Sequence, residues 1–204
     1  MPGRNILKQD VEGGFYHIYN RGVYKRQIFI EPKDYAVFLN LLKRYLSVEA
    51  QKDRNGILYP HLYGKLELLS FCLMPNHLHL LIYQNEAGSM QKLMRAALTS
   101  YSKYFNKTYN RRGPLFESRY KASLISDQSY LEHISRYIHL NPKGWRKHSY
   151  SSLPYFLGEY QAEWVKPQKI TEMFSSHMDY LKFIEDYQDY KKMLDEIKLE
   201  LAAG

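Results

Sequence analysis

The chain of 204 residues has a single cysteine, Cys72, and no apolar run as long as a membrane span. One cysteine excludes an internal disulfide and a cysteine-rich zinc site, and it fits a reducing compartment. Because a transmembrane helix needs about 20 consecutive apolar residues, we expect no membrane-spanning segment and no membrane partner. Residues 1–10 also lack the apolar stretch of a signal peptide. We therefore expect a globular, cytoplasmic protein.

Acidic residues are scarce in the first part of the chain. Residues 1–160 contain 23 basic residues (Lys and Arg) and 12 acidic residues (Asp and Glu). Residues 161–204 contain 6 basic and 9 acidic residues. The net charge of +8 therefore divides into +11 for a body at 1–160 and −3 for an acidic tail at 161–204. We expect the body to be one domain. Its excess of positive charge suggests a polyanionic partner, most simply a nucleic acid.

The basic residues are densest between residues 103 and 147, where ten Lys and Arg face three acidic residues. Aromatic residues are interleaved with them: Tyr101, Tyr104, Phe105, Tyr109, Phe116, Tyr120 and Trp145. A single-stranded nucleic acid needs both kinds of residue, because phosphates bind the cations and bases stack on the rings. A solvated basic face whose aromatic residues turn into the core is an equally good interpretation.

The spacing of apolar residues predicts a mixed domain of helices and strands. Four short runs predict strands: 14–20, 66–74, 77–83 and 119–125. Helical spacing predicts three helices: one that starts near Pro32 and includes the apolar residues from Tyr35 to Leu46, one over roughly 89–106, and one that Ser126 or Asp127 caps and that stops near Asn141. The order β-α-β-β-α-β is that of a ferredoxin-like split β-α-β sheet, here with an added helix. The fold class is therefore α+β.

The tail follows a segment, 148–170, that carries no regular pattern and is expected to be irregular. From about residue 176, apolar residues recur every three or four positions as far as Leu201. This spacing predicts a final amphipathic helix. The helix would dock on its own domain or, alternatively, on a partner.

Two histidines lie two positions apart in the third predicted strand. Because side chains alternate along a strand, His77 and His79 share one face. Two imidazoles on one face can bind a divalent ion and leave coordination positions open, as a catalytic metal requires. Mixed nitrogen and oxygen ligands favour Mg²⁺ or Mn²⁺. The alternative is a structural pair bonded to backbone or carboxylate groups.

Tyr137 and Asn141 lie four residues apart on the helix after the fourth strand, so they share one face. A tyrosine hydroxyl can attack a phosphodiester and hold it as a phosphotyrosine. With a usual pKa of about 10 it is a weak nucleophile, and a nearby cation or metal would stabilise its phenolate. The Asn141 carbonyl could be a third metal ligand. The alternative for Tyr137 is a packing role, since the chain has 20 tyrosines.

Several segments together resemble the IS200-like single-tyrosine (HUH) transposases, in particular the group of REP-associated tyrosine transposases. The segments are SFCLMPNHLHLLI at 70–82, SYSKYFNKTYNRRGPLFESRYKASLI at 100–125, RYIHLNP at 136–142 and, for the family's first strand, FYHIYNRG at 15–22. The resemblance covers about residues 13–157 and leaves the tail out. The fold that it implies agrees with the predicted order of elements.

The resemblance also implies roles for individual residues. It places a divalent metal on His77 and His79, and the nucleophile on Tyr137. Asn141 would complete the metal site, at a position where many family members have Gln. His139 could relay a proton, but it lies two positions from Tyr137 and therefore on another side of the helix, so we expect a structural role instead.

The implied reaction is metal-assisted transesterification of single-stranded DNA that carries hairpins or palindromes. The Tyr137 oxygen would attack phosphorus and leave a 5′-phosphotyrosine and a free 3′-OH, and a reverse attack would rejoin strands. Basic residues near the first and fourth strands are candidates for phosphate contacts: Arg21, Lys25, Arg26, Arg111, Arg112, Arg119 and Lys121.

Two other functions stay open at this point. One is a non-catalytic protein that binds single-stranded nucleic acid, because ferredoxin-like sheets with exposed aromatic residues also bind bases. The other is a metal-dependent hydrolase that uses water instead of Tyr137. A monomer and a homodimer are both compatible with the sequence, and the Tyr137 helix would serve its own or the partner's site.

Overall fold

Four antiparallel strands form one sheet at the centre of the molecule. The computed structural model of the protein describes residues 10–125, 127 and 130–186. The strands are β1 (Gly14–Arg21), β2 (Leu66–Met74), β3 (His77–Gln84) and β4 (Lys121–Ile125). They lie in the order β2-β3-β1-β4.

Six helices accompany the sheet in the described part of the chain. They are α1 (Pro32–Leu46), α2 (Ser89–Thr108), α3 (Leu131–Leu140), α4 (Leu153–Phe156), α5 (Gln168–Thr171) and α6 (His177–Glu185). Short 3₁₀ helices lie at Val23–Lys25 and Trp145–Lys147.

The topology contains two interleaved β-α-β units. Strand β3 lies between β1 and β2 and is antiparallel to both, so β1 and β2 are parallel and α1 connects them. Strand β1 likewise lies between β3 and β4 and is antiparallel to both, so β3 and β4 are parallel. Helix α2 connects them. Each unit is split by a strand of the other. The predicted ferredoxin-like α+β fold is therefore confirmed.

Helices α1 and α2 cover one face of the sheet. Side chains at alternate positions of the central strands, such as Ile18 and Leu80, are fully buried against Phe38 of α1 and Leu93 of α2. This burial follows from the period of two in the strands and the apolar stripe on each helix.

Asp34 joins the start of α1 to the end of α2. The carboxylate of Asp34 is buried and accepts hydrogen bonds from the backbone N–H groups of Ile30 and Glu31 and from the hydroxyls of Tyr104 and Tyr109. Burial alone would raise its pKa, but these bonds outweigh burial and hold the pKa below its usual value. The charged form therefore stabilises the contact between the two helices.

Helix α3 and the elements after it cover the opposite face. Leu81 of β3 packs there with Ile134 and Ile138 of α3 and with Tyr180 of α6. The described part of the acidic tail thus packs on the body, and Trp164 joins the core beneath α1 and α2. The domain boundary at residue 160 stays a prediction.

The described part of the predicted C-terminal helix is α6. It begins after Ser176, whose side chain accepts a hydrogen bond from the backbone N–H of Asp179. It ends at Glu185, because Asp186 is extended, with φ of −70° and ψ of 99°. The remainder of the predicted helix, as far as Leu201, lies outside the described residues.

Three predicted boundaries need correction. Strand β4 begins at Lys121 rather than at 119, because the carbonyls of Ser118 and Arg119 accept hydrogen bonds from the Asn20 side chain. Helix α3 begins after Tyr130, so Asp127 is not its cap, and Ser126 lies outside the described residues. The segment 148–170 is irregular except for the short helices α4 and α5.

None of the helices in the described ranges combines the length and the apolar character that crossing a membrane requires.

Candidate active site

A tight turn brings the first histidine to the end of the sheet. Pro75 and Asn76 alone separate β2 from β3, and His77 follows them directly. The carbonyl of Pro75 accepts hydrogen bonds from the N–H groups of Ile28 and Phe29. The turn is thereby anchored to the segment that follows β1, which holds His77 in place.

Both ring nitrogens of His77 have a neighbour. The Asn76 side chain donates from Nδ2 to the Lys25 carbonyl at 3.2 Å, so its oxygen is left to accept from His77 Nδ1 at 2.6 Å. The proton of a neutral His77 then lies on Nδ1 and a lone pair on Nε2. That Nε2 lies 2.9 Å from the side-chain oxygen of Asn141. The Asn141 oxygen can accept a hydrogen bond from a protonated Nε2, and the lone pairs of both atoms can instead bind a cation.

His79 lies deeper, with 4% of its surface exposed. Its Nδ1 lies 3.0 Å from Nε2 of His17, and its Nε2 lies 3.5 Å from Nδ2 of Asn141. Burial, together with the nearby His17 and His77 rings, lowers the pKa of His79 well below its usual value. The neutral imidazole, which is the form that binds metal, is therefore favoured.

The oxygen atom that lies beside the two histidines belongs to the Asn141 side chain, which is an amide rather than a carboxylate. Within the described ranges, no group of three or more His, Cys, Asp and Glu side chains could hold a metal ion. The candidate ligand set is therefore two imidazoles, His77 and His79, and the Asn141 side chain. Such mixed nitrogen and oxygen donors suit Mn²⁺, and Mg²⁺ less well.

Tyr137 lies against the histidines. Its half-buried ring meets the His79 ring edge-on at 5.3 Å between centroids, and the His17 ring at 5.8 Å. Asn141 follows one helical turn later, at the end of α3. The predicted site residues from β3 and α3 thus come together although more than 55 positions separate the two segments in sequence.

His17 belongs to the site, although sequence analysis did not find it. It lies in β1 opposite Leu81, so it points to the same face as His79 on the neighbouring strand. Burial lowers its pKa to about 4. The alternation in β1 could have revealed its face, but only the register between β1 and β3 places it beside His79.

Tyr19 extends this ring cluster towards β4. Its ring stacks with that of His17 at 5.6 Å and with that of His79 at 6.2 Å. Lys121, its direct partner across β1 and β4, holds its ammonium 5.6 Å from the Tyr19 ring. One of the predicted DNA-binding cations therefore lies beside the site.

The other predicted cations divide into two groups. Arg21 pairs with His77 in the register of the sheet and forms an ion pair with Glu117 at 3.1 Å. Lys25, Arg26 and Arg119 are exposed near the same end of β1, whereas Arg111 and Arg112 follow α2. The aromatic residues interleaved with the basic stretch belong to the core or its margin, so the second interpretation of that pattern is the better one.

An open cleft runs along the outer side of α2 and the segment 113–120. It has a volume of about 1350 Å³, and its basic lining residues are Lys92, Arg95, Lys103 and Arg119. A smaller depression of about 520 Å³ is lined by Val23, Tyr24, Lys25 and Glu117. Glu117, the ion-pair partner of Arg21, lines both depressions.

His139 points away from Tyr137 into a buried polar network. Its Nδ1 lies 2.7 Å from the Tyr180 hydroxyl, and its Nε2 lies 2.8 Å from the Ser152 hydroxyl and 3.3 Å from that of Ser70. Burial lowers its pKa to about 3. These contacts join α3 to β2 and α6, as expected of a structural residue.

A known protein family matches the part of the chain that contains the candidate site. Residues 61–141 match the family model described as IS200-like transposase. This part of the chain is therefore similar to the IS200-like transposases. It includes β2, β3, α2, β4 and α3, and therefore all four predicted residues of the site: His77, His79, Tyr137 and Asn141.

A solved structure described as a REP-associated tyrosine transposase bound to a REP hairpin is also similar to the chain. The two share 15% sequence identity with a TM-score of 0.49, and the match covers 78% of this chain and 89% of the other. No curated protein matches the chain.

Proposed function

We propose that this protein is a transposase that cleaves and rejoins single-stranded DNA with Tyr137 as its nucleophile. The observation that supports this most directly is the meeting of Tyr137 with His77, His79 and Asn141 at one end of the sheet. These residues come from two segments of the IS200-like region. A tyrosine beside a divalent-metal site is the combination that phosphodiester transfer to a protein requires.

The residues present fit a divalent ion, Mg²⁺ or Mn²⁺. His77 Nε2 and the Asn141 oxygen lie 2.9 Å apart, and the lone pairs of both atoms could bind one cation. The Nδ1 atoms of His77 and His79 are held by Asn76 and His17, as is usual for ligating imidazoles. A bound ion would polarise the scissile phosphate and offset its developing charge.

In the proposed reaction Tyr137 acts on a phosphate bound at this position. Its hydroxyl oxygen forms a bond to phosphorus, the bond from phosphorus to the 3′ oxygen breaks, and the phenolic proton leaves to the 3′-OH. The products are a 5′-phosphotyrosine and a free 3′ end. Because the phosphoester bond is conserved, a 3′-OH can reverse the reaction without ATP. The rings of His79 and His17 orient the Tyr137 ring.

The partner that we propose is single-stranded DNA with hairpin or palindromic elements. Arg21, Lys25, Arg26, Arg119 and Lys121 surround the end of β1 next to His77, and the basic cleft along α2 continues from there. Phosphates would bind these cations. Arg111 and Arg112, farther along at the end of α2, would contact a longer hairpin.

We propose that Tyr137 acts in its own subunit, because α3 places it against the histidines of the same chain. A homodimer is compatible with this arrangement and would not need to exchange α3. We also propose a cytoplasmic location, which the single buried thiol of Cys72 favours.

The test is a covalent-adduct assay. The full-length protein is incubated with Mn²⁺ and single-stranded hairpins taken from the DNA that flanks its gene, then separated on a denaturing gel. We expect a protein–DNA adduct that EDTA prevents. The variant Tyr137→Phe should form no adduct and should bind the hairpins as tightly as the parent.

Tyr160→Phe is the matched control, because Tyr160 is exposed beyond α4 and should be dispensable. An adduct formed equally well by Tyr137→Phe would exclude the proposed nucleophile. Cleavage without an adduct in that variant would indicate a hydrolase that uses water. Salt-sensitive binding with no cleavage by the parent would indicate a non-catalytic binding protein.

A further inference from the structure

The short loop after β1 holds an aromatic side chain out in solvent. Tyr24 is 83% exposed, the highest value for a large hydrophobic side chain in the described part of the chain. Its backbone lies in the left-handed region, with φ of 53°, and that of the next residue, Lys25, does so too, with φ of 58°. Two consecutive non-glycine residues in this region are costly, and such strain persists only where the surroundings impose it.

The surroundings do impose it. The N–H groups of Lys25 and Arg26 donate to the carbonyls of Gly22 and Val23 within the loop. The N–H of Val23 donates to the Leu115 carbonyl at 3.0 Å. At Gly22 a Cβ atom would clash with the Arg26 carbonyl oxygen, so the loop closes tightly on itself. Tyr24 is therefore presented by a rigid loop.

One side chain links this loop to the candidate metal site. The Asn76 amide donates to the Lys25 carbonyl at 3.2 Å, and its oxygen accepts from His77 Nδ1 at 2.6 Å. The backbone of Asn76 also accepts a hydrogen bond from the N–H of Gly22 at 2.8 Å. The loop that carries Tyr24 is thus joined through Asn76 to the turn that positions His77.

We propose that Tyr24 is a stacking platform for a base of the single-stranded DNA next to the phosphate on which Tyr137 acts. The depression beside it, of about 520 Å³ and lined in part by Val23 and Glu117, has room for a base. Lys25 and Arg26 supply adjacent cations, with the Arg26 guanidinium 5.9 Å from the centre of the Tyr24 ring. The inference rests on the proposed function, because it takes single-stranded DNA as the substrate.

The experiment measures binding without chemistry. In the Tyr137→Phe background of the full chain, the dissociation constant for an oligothymidine of about 12 nucleotides, within the usual site size of such proteins, is measured by fluorescence anisotropy. Replacement of Tyr24 by Asn should weaken binding about 10-fold, the usual effect of losing one stacked base. Asparagine adopts the left-handed conformation more readily than most residues, so this loss would not come from the loop.

Two further variants complete the comparison. Tyr24→Phe keeps the ring and should bind within about 2-fold of the parent, since stacking does not need the hydroxyl. Tyr160→Ala removes another exposed ring and should not change affinity. Photocrosslinking of an oligonucleotide that contains 5-iododeoxyuridine should label Tyr24, as located by mass spectrometry.

Equal affinity of Tyr24→Asn and the parent would overturn the inference, as would an equal loss in Tyr24→Phe. These outcomes are independent of the proposed chemistry, because the background lacks Tyr137. Conversely, the parent protein could form no adduct while replacement of Tyr24 still weakens binding. That result would contradict the proposed reaction but would still support the role of Tyr24 as a stacking platform.

Discussion

Asn141 is the residue on which the candidate metal site depends most. Its oxygen lies 2.9 Å from His77 and its nitrogen 3.5 Å from His79, so one amide meets both imidazoles. Its position follows from the end of α3, where it is the C-cap with helical φ and ψ. A ligand at the last turn of a helix is placed by the packing of the whole helix.

Replacement of Asn141 by Ala should weaken Mn²⁺ binding by at least about 10-fold, the scale on which supporting groups of metal sites act. The reason is the loss of the only oxygen donor of the candidate set. Titration of Mn²⁺ followed by electron paramagnetic resonance measures the affinity. Lys143→Ala, two positions further on and exposed, is the control. Unchanged Mn²⁺ affinity in Asn141→Ala would remove this residue from the site.

The elements were predictable to different degrees. The strands β1, β2 and β3 and the helices α1 and α2 lie within two residues of the predicted bounds, because a period of two or of 3.6 is repeated over many residues. The start of α3 was not predictable, because a side-chain cap was expected and Tyr130 provides none. Helix ends are set by a few hydrogen bonds and are therefore less visible in a sequence.

The contact between α1 and α2 at Asp34 is tested by Asp34→Asn. We expect the free energy of unfolding at neutral pH to fall by about 3 kcal/mol, because a buried charged acceptor of several hydrogen bonds is lost. Urea denaturation measures this value. Glu49→Gln, an exposed acidic residue just after α1, is the control and should change stability little.

The same contact should depend on pH. The folded pKa of Asp34 lies below its unfolded value, so its contribution is complete above the unfolded pKa of about 4. It is lost as the pH falls through the folded pKa. The difference in unfolding free energy between the parent and Asp34→Asn should therefore shrink in acid. A difference that grows as the pH falls would contradict this assignment.

In the molecule as a whole, the sheet separates two layers with different tasks. Helices α1 and α2 complete the core on one face. On the other face α3 carries Tyr137 and is held by the network of His139, Ser152 and Tyr180 beneath it. Helix α6 belongs to this second layer, so the described part of the tail packs against α3 and helps to hold the helix that carries Tyr137.

Replacement of Tyr180 by Phe tests this support. The hydroxyl lies 2.7 Å from His139 and 3.0 Å from the Ser135 hydroxyl, so its loss leaves buried polar groups unsatisfied. We expect the free energy of unfolding to fall by about 1–3 kcal/mol, and adduct formation to slow because α3 is less well held.

Tyr45→Phe, a buried tyrosine whose hydroxyl makes a longer contact of 3.3 Å to Ser100, is the control. It should change stability less and leave the adduct rate unchanged. Equal effects of the two variants on the adduct rate would show that the second layer has no special part in placing Tyr137.

The amino-acid sequence on its own determined the order of the elements, the face shared by His77 and His79, and the helix face shared by Tyr137 and Asn141. These features are local, because they follow from the repeat of a strand or a helix. Only the tertiary structure decided that the two pairs meet, that His17 joins them, and that Asn76 links His77 to the loop of Tyr24. The register of distant strands and the docking of α3 decide such contacts, and no local pattern encodes them.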